Sequence, residues 1–279
     1  MSAAEQAQFL EGLAADLNSR EIALPSFPDI VINIRTALED PTCTAERLAE
    51  LAKSDPVLVS RLLMSANSAF NNRAGIEIVD LGLAISRLGF EAVRNAAITL
   101  AVEQLFNAEQ HEELRERLKD LWTRSIDLAS MSMVVGQSMS SVNADNAYLC
   151  GLLHEVGKLY ILSKAGQYPG FLGNDDSVQA VLADWHGSVG RSILGAWGFP
   201  DEIVASMDAD EIAENGAELG PAYANAVAAA MTLLNSREAS AEEAPAELDE
   251  RFGITGEKRE RLLEQYQLHV QSLRDFARR

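Results

Sequence analysis

Apolar side chains recur at helical spacing along almost the whole of this 279-residue chain. Val59, Leu62, Leu63 and Ala66, for example, follow an i, i+3, i+4, i+7 pattern, which places them on one face of a helix. Segments in which β-branched or aromatic residues alternate with polar ones are missing, whereas alanine, leucine and glutamate are abundant. The sequence therefore predicts an all-α fold.

Residues typical of helix ends divide this pattern into separate elements. Thr44 precedes a short amphipathic segment, and Asp55, followed by a proline, has the form of an N-cap before a first-turn proline. Gly89 can take the left-handed conformation that often ends a helix. Asn143 or Asp145 can cap the helix that follows them. These signals predict where helices begin and end.

A polar break at residues 107–111 separates two groups of predicted helices. We place there the boundary between an N-terminal helical domain, residues 1–110, and a second helical domain, residues 111–279, packed against it. The second domain contains an acidic, alanine-rich segment at 236–250 without clear periodicity, which predicts a surface loop. A final helix is predicted from Thr255.

The charge balance limits the partners that such a chain can have. The formal net charge is −19, from 42 acidic and 23 basic side chains. An acidic surface of this size repels phosphate backbones and anionic lipids, so the sequence argues against nucleic acid and membrane partners. No apolar run approaches membrane-spanning length, and we expect a cytoplasmic protein.

The segment Leu149–Tyr160 concentrates the residues that could carry chemistry. His154, Glu155 and Lys158 lie within five residues of one another, between apolar side chains. His154 and the later His186 could be metal ligands, but core-edge histidines with satisfied nitrogens are about as frequent. Lys158 could bind a phosphate, although a solvated lysine is the more common case. The residues alone leave these alternatives open.

Several segments, in the right order, resemble the HDOD domain family of bacterial signalling proteins. They are Leu24–Pro28, Asp55-Pro56 with Arg61–Phe70, Ala84–Gly89, Gly151–Lys158, His186–Gly190 and Trp197–Pro200. The resemblance covers nearly all of residues 20–235. It implies an N-terminal helical domain and a second domain related to the HD-domain metal-dependent phosphohydrolases. In those enzymes a histidine, a His-Asp doublet and a later aspartate bind a divalent metal.

Set against that ligand pattern, this sequence keeps His154 and His186 but departs from the pattern elsewhere. Arg124 stands near the place of the upstream histidine, and Glu155 replaces the aspartate of the doublet. The family's later His-His pair would fall near Asp208-Ala209-Asp210, and the late aspartate near Asn225. An arginine substitutes a fixed positive charge for the cation, so we expect Arg124 to pair with Glu155 in a buried ion pair.

The resemblance therefore implies a degenerate metal centre and a non-enzymatic regulatory module that acts on a signalling partner in trans. No cofactor is expected; a divalent metal, if bound, would be held by His154, Glu155 and His186. The first alternative is a metal-dependent phosphohydrolase acting on a nucleotide or phosphodiester, with Asp208 as a further ligand. The second is a sensor that binds a nucleotide through Arg124 and Lys158.

Overall fold

A computed structural model describes residues 3–19, 28–72, 74–107, 112–166, 168, 175–215, 220–237, 248 and 250–277. All regular secondary structure in this part of the chain is helical, which confirms the predicted fold class. The helices are α1 (Ala3–Ser19), α2 (Asp29–Leu38), α3 (Ala45–Ala52), α4 (Pro56–Asn67), α5 (Leu81–Leu88), α6 (Phe90–Asn107), α7 (Glu112–Gln137), α8 (Ala144–Leu153), α9 (Val156–Ala165), α10 (Asp175–Ala196), α11 (Asp201–Val204), a 3-10 turn (Ala205–Asp208), α12 (Ala209–Asn215), α13 (Ala222–Asn235) and α14 (Gly256–Ala277). None of the described helices is both long enough and apolar enough to span a membrane.

The predicted helix-end residues act as the sequence indicated. Oγ1 of Thr44 accepts a hydrogen bond from the backbone N–H of Arg47 at 3.2 Å. Oδ1 of Asp55 accepts from two first-turn amides of α4, at 2.9 and 3.1 Å. Asn143, rather than Asp145, caps α8. Gly89 ends α5 with φ of 88°, a conformation that favours glycine. Short-range chemistry therefore sets these boundaries.

The chain forms two compact units, each made of two separate stretches. The larger unit comprises residues 1–26 and 105–256, and the smaller unit comprises 27–104 and 257–279. The change of unit between 104 and 105 lies close to the boundary predicted at 107–111. The terminal helices differ from the predicted domains of 1–110 and 111–279, because α1 belongs to the larger unit and α14 to the smaller one.

Specific contacts account for the placement of the terminal helices. In the larger unit, Asp16 of α1 accepts hydrogen bonds from Tyr160 and Lys164 of α9, and Lys164 also donates to the carbonyl of Gly12 at 3.0 Å. In the smaller unit, the ring of His269 of α14 packs edge-on against Phe70, with 5.2 Å between ring centroids. The residues around each contact contain no sequence pattern that predicts it, because both contacts join distant parts of the sequence.

The core of the larger unit is built where small residues let helices approach closely. A Cβ atom on Gly151 of α8 would lie 2.7 Å from the carbonyl oxygen of Leu128 in α7. A Cβ atom on Gly157 of α9 would lie 2.1 Å from the carbonyl oxygen of His186 in α10. Helix α13 packs against both α7 and α8 with a run of buried residues from Tyr223 to Met231. These contacts fix α7, α8, α9 and α10 relative to one another.

Several predictions fall partly on residues that the structure does not describe. Residues 24–27 of the prolyl segment and most of the acidic loop at 236–250 lie outside the described ranges. The segment Leu149–Tyr160 does not continue as one helix after the cap at Asn143, because α8 ends at Leu153 and α9 begins at Val156. His154 and Glu155 therefore occupy a turn between two helices rather than successive positions of one helix.

Candidate functional site

The turn at His154 and Glu155 lies in the interior of the larger unit, and both side chains are fully buried. His154 ends α8, and Glu155 precedes α9 with φ of −86° and ψ of 2°. On a continuous helix, neighbouring side chains point about 100° apart. Here the turn directs the two side chains to separate sets of partners, which form two adjacent clusters.

The first cluster surrounds the carboxylate of Glu155. Oε1 lies 3.0 Å from Nε of Arg124 on α7, and Oε2 lies 2.8 Å from Nζ of Lys158 on α9. Both contacts are ion pairs to a carboxylate that is 1% exposed. The predicted pair of Arg124 and Glu155 is present. Only its carboxylate is buried, because the Arg124 side chain is 54% exposed.

The second cluster joins His154, His186 of α10 and Asp210 of α12. Oδ2 of Asp210 lies 2.8 Å from Nε2 of His154 and 3.2 Å from Nε2 of His186. The two imidazole rings are 5.6 Å apart between centroids and nearly perpendicular. The Asp210 oxygen and both nitrogens of His154 are buried without an aligned hydrogen bond. Two imidazoles and one carboxylate thus converge on one point in the interior.

Opposing effects act on the two carboxylic acids. Burial raises the pKa of Glu155, but the charges of Lys158, His154 and Arg124 outweigh it and hold that pKa below its usual range. Burial likewise raises the pKa of Asp210, and the two adjacent imidazoles outweigh it, so the pKa of Asp210 also lies well below its usual range. Both groups are therefore carboxylates at neutral pH.

The second cluster has the donors and the spacing for one divalent cation. One ligand atom each from His154, His186 and Asp210 lies within 4.8 Å of the other two. Ligands about 2.1 Å from an octahedral ion lie about 3 Å from their neighbours, close to the 2.8 and 3.2 Å found here. Neutral imidazole and carboxylate groups are also accepted ligands for such ions. These three residues fit a metal, whereas Glu155 is already paired with two cations.

The structure separates the other predicted site residues from this cluster. Asp208 forms an ion pair with Arg191, and both side chains are 39% exposed. Asn225 accepts from the backbone N–H of Gly220 and donates to its carbonyl, both at 2.8 Å. Asp208 and Asn225 are thus outside the candidate site, and the carboxylate beside the histidines is that of Asp210. Lys158 pairs with Glu155 and is only 17% exposed, so it is not the solvated lysine that the sequence favoured.

Asp210 was not among the predicted site residues, because the regular helical spacing of side chains is interrupted just before it. A 3-10 turn, Ala205–Asp208, connects α11 to α12 and changes the direction in which successive side chains point. Asp208 therefore faces Arg191, while Asp210, two residues later, faces the imidazoles. The sequence did contain one signal, since Asp208-Ala209-Asp210 aligns with the position where the resembling family has its His-His pair.

The described helices and the imidazole–carboxylate cluster define an all-helical protein with a candidate metal centre. A model of the HDOD domain matches residues 24–212, about two thirds of the chain, and the chain belongs to that family. An uncharacterized protein of Treponema pallidum (strain Nichols) is 24% identical over 212 residues, which is 70% of this chain. The match spans only 39% of the length of that relative.

Solved structures of similar proteins support the same fold. A proposed metal-dependent phosphohydrolase from Shewanella amazonensis SB2B is similar with a TM-score of 0.77 and 22% identity, covering 96% of this chain and 99% of the other. A proposed signal transduction protein from Marinobacter aquaeolei VT8 gives a TM-score of 0.67 at 21% identity, covering 98% and 66%. An HDOD domain protein of unknown function from Geobacter sulfurreducens gives 0.61 at 22%, covering 91% and 89%. At these identities the likeness concerns the fold.

Proposed function

We propose that this chain is a regulatory module of bacterial signal transduction that does not hydrolyse phosphate esters. The observation that carries the proposal is the pairing of Glu155 with Arg124 and Lys158. This glutamate stands where the related hydrolases have the carboxylate of their metal-binding doublet. Its two oxygens face fixed positive charges, so the ion pairs take the structural place of a bound cation.

The charge balance around Glu155 opposes its use as a metal ligand. A divalent ion would have to displace Arg124 or Lys158 from a carboxylate that is 1% exposed, and a buried ion pair loses much stability when its partner is removed. A displaced cation would also remain close to the incoming ion and repel it. A metal ion bound beside Glu155 would then have only three protein ligands, from His154, His186 and Asp210.

A module of this kind acts by binding. The proposed partner is a cytoplasmic signalling protein supplied in trans, and the net charge of −19 argues against nucleic acid and anionic membrane surfaces. Arg124 and Lys158 are less suited to hold a nucleotide, because both are engaged by Glu155. A thermal-shift screen with nucleotides tests this sensor alternative, since a ligand of the folded state raises the melting temperature.

A hydrolysis assay tests the main proposal. Wild type and His154→Ala are incubated with bis-p-nitrophenyl phosphate and Mn²⁺, and release of p-nitrophenol is followed at several protein concentrations. We expect equal background rates for both proteins. Turnover that scales with wild-type concentration and disappears in His154→Ala would overturn the proposal. A His154→Ala, Glu155→Ala double variant that still binds an identified partner would support a scaffolding role for the centre.

A metal-dependent phosphohydrolase is the second candidate, and the cluster of His154, His186 and Asp210 favours it. These residues would hold the ion, which when bound can polarise a phosphoryl oxygen and lower the pKa of a water molecule. Arg191 would keep the segment before Asp210 near α10 through its ion pair with Asp208. The two candidates are distinguished by whether Mn²⁺-dependent turnover requires Asp210, which Asp210→Asn tests, with Asp208→Asn as the control.

A further inference from the structure

The smaller unit contains a short segment without helix or turn, Ile76–Asp80, between α4 and α5, and its last residue, Asp80, is extended with φ of −89° and ψ of 127°. Two asparagines of the preceding residues fix one edge of the segment. Asn67 donates to the carbonyl of Ile78 and accepts from its N–H, both at 2.7 Å, and Asn72 donates to the carbonyl of Ile76 at 2.7 Å. The asparagine side chains thus take the place of a neighbouring strand.

The opposite edge of this segment is unpaired among the described residues. The backbone N–H and C=O groups of successive residues in an extended chain point to alternate sides. Ile76 and Ile78 bond to the asparagines, so the backbone groups of Glu77 and Val79 point away from them. No hydrogen bond joins either residue to the described part of the chain. An exposed edge of this kind is a template for pairing with another extended chain.

Apolar side chains accompany this edge. Ile76 is 68% exposed and Val79 is 79% exposed, and Leu83, in the first turn of α5, is 62% exposed. All the large hydrophobic residues that are exposed in the described part of the chain belong to the smaller unit, and half of them lie within residues 76–83. Clustered exposed apolar residues typically mark interaction sites.

We propose that the edge formed by Ile76–Asp80 binds an extended peptide of a partner protein by strand addition. In this mode, main-chain hydrogen bonds to Glu77 and Val79 provide affinity. Apolar side chains of the peptide cover Ile76 on one face of the segment, and basic side chains lie along the opposite face, beside Glu77 and Val79. The proposal does not depend on whether the cluster around His154 is catalytic. It therefore stands or falls separately from the proposed function.

Charge indicates the chemistry of the bound peptide. Glu77 and Asp80 are exposed on the segment, and Asp80 is close enough to Glu46 for the two carboxylates to interact electrostatically. A second copy of the chain would bring the same acidic groups opposite one another, which disfavours self-pairing. The favoured occupant is a peptide in which lysine or arginine alternates with β-branched residues, since such a peptide complements both the charge and the apolar surface.

Fluorescence anisotropy with a labelled eight-residue peptide of alternating lysine and valine tests the proposal. Val79→Pro removes the N–H of the free edge without changing charge, and an exposed edge tolerates proline. Val79→Thr retains the N–H and a similar shape, and serves as the matched control. We expect saturable binding to wild type, a loss of about tenfold in affinity in Val79→Pro, and little change in Val79→Thr. Circular dichroism melts of both variants check that the fold is retained.

Three further arms can overturn the proposal. A peptide of the same composition with its valines and lysines in separate blocks should bind much more weakly, because it cannot present alternate side chains. Equal binding of this block peptide, or of the alternating peptide to wild type and Val79→Pro, would show attraction by charge alone. Absence of binding by the alternating peptide would contradict the proposal. A dimer in sedimentation velocity that Val79→Pro abolishes would instead assign the edge to a second copy.

Discussion

Nε of Arg124 lies 3.0 Å from Oε1 of Glu155, joining α7 to the turn between α8 and α9. The arginine is half-exposed, whereas the carboxylate is fully buried and also faces Lys158. One buried negative charge is therefore balanced by two fixed positive charges. These two ion pairs stabilise the turn between α8 and α9 without a metal ion.

Replacing Arg124 with alanine should lower the free energy of unfolding by about 1–2 kcal/mol. Lys158 would remain beside Glu155, and the exposure of Arg124 limits the loss through solvent screening. Arg237→Ala is the matched control, because Arg237 is 48% exposed and lies 3.8 Å from Asp127 in a weaker pair. Its expected effect is at most about 0.5 kcal/mol. Equal effects of the two substitutions in urea unfolding would contradict a special role for Arg124.

Asp210→Asn should destabilise the larger unit by about 2 kcal/mol, because it removes the charge that lies next to two buried imidazoles. Asp208→Asn, only two residues away, should change stability by less than about 1 kcal/mol, since its pair with Arg191 is well exposed. Thermal and urea unfolding at pH 7 measure both. The reverse order of effects would mean that Asp208, and not Asp210, supports the centre.

Gly157→Ala should reduce stability by about 3 kcal/mol, because the new methyl group would lie 2.1 Å from the carbonyl oxygen of His186. The substitution must push α9 away from α10, which carries one of the two clustered histidines. Gly195→Ala, on the same helix as His186, meets no atom within 4 Å and should be neutral or stabilising by about 0.5 kcal/mol. Similar melting temperatures for the two variants would refute the close approach.

His269 should make stability depend on pH. Burial lowers its pKa to about 4, against about 6.5 in an unfolded chain. Between these values the unfolded chain binds the proton more readily, so the free energy of unfolding falls as pH decreases from about 6.5 to about 4. The contribution of His269 is fully present above pH 6.5, and its loss should reach about 3 kcal/mol near pH 4.

The variant His269→Phe isolates this effect, since a phenyl ring preserves an aromatic contact with Phe70. Urea unfolding of wild type and variant from pH 7.5 to pH 4 gives two stability profiles that share all other titrating groups. The wild-type profile should fall more steeply than that of the variant as the pH is lowered. Parallel profiles across this range would mean that His269 titrates normally in the folded protein.

Local chemistry explains why much of the fold could be predicted from sequence. Thr44, Asp55 and Gly89 act within four residues of their own positions, and the apolar stripe of α4 buries Leu62 and Ala66 as its spacing indicated. The terminal helices are different, because an amphipathic pattern does not say which neighbour it packs against. The pairing of Asp16 with Lys164 joins residues that are 148 positions apart.

The candidate site was only partly predictable for the same reason. His154 and Glu155 could be identified because polar residues are conspicuous within an apolar segment. Arg124 stands where the resembling family has a histidine, and this difference indicated an ion pair with Glu155. The apolar residues on both sides of the doublet continue the helical pattern, so nothing local indicated the turn between α8 and α9. Asp210 follows a 3-10 turn, after which side-chain directions cannot be counted from a 3.6-residue period.

The metal content of the protein tests the central claim most directly, because Arg124 and Lys158 are proposed to replace a cation at Glu155. Wild type and His154→Ala are purified without chelator, incubated with Mn²⁺ or Zn²⁺, dialysed, and measured by elemental analysis. We expect both proteins to retain far less than one ion per chain, because with Glu155 held by Arg124 and Lys158 the three ligands His154, His186 and Asp210 should bind an ion too weakly to survive dialysis. One stoichiometric ion in wild type that is lost in His154→Ala would contradict the account and favour a metal-dependent hydrolase.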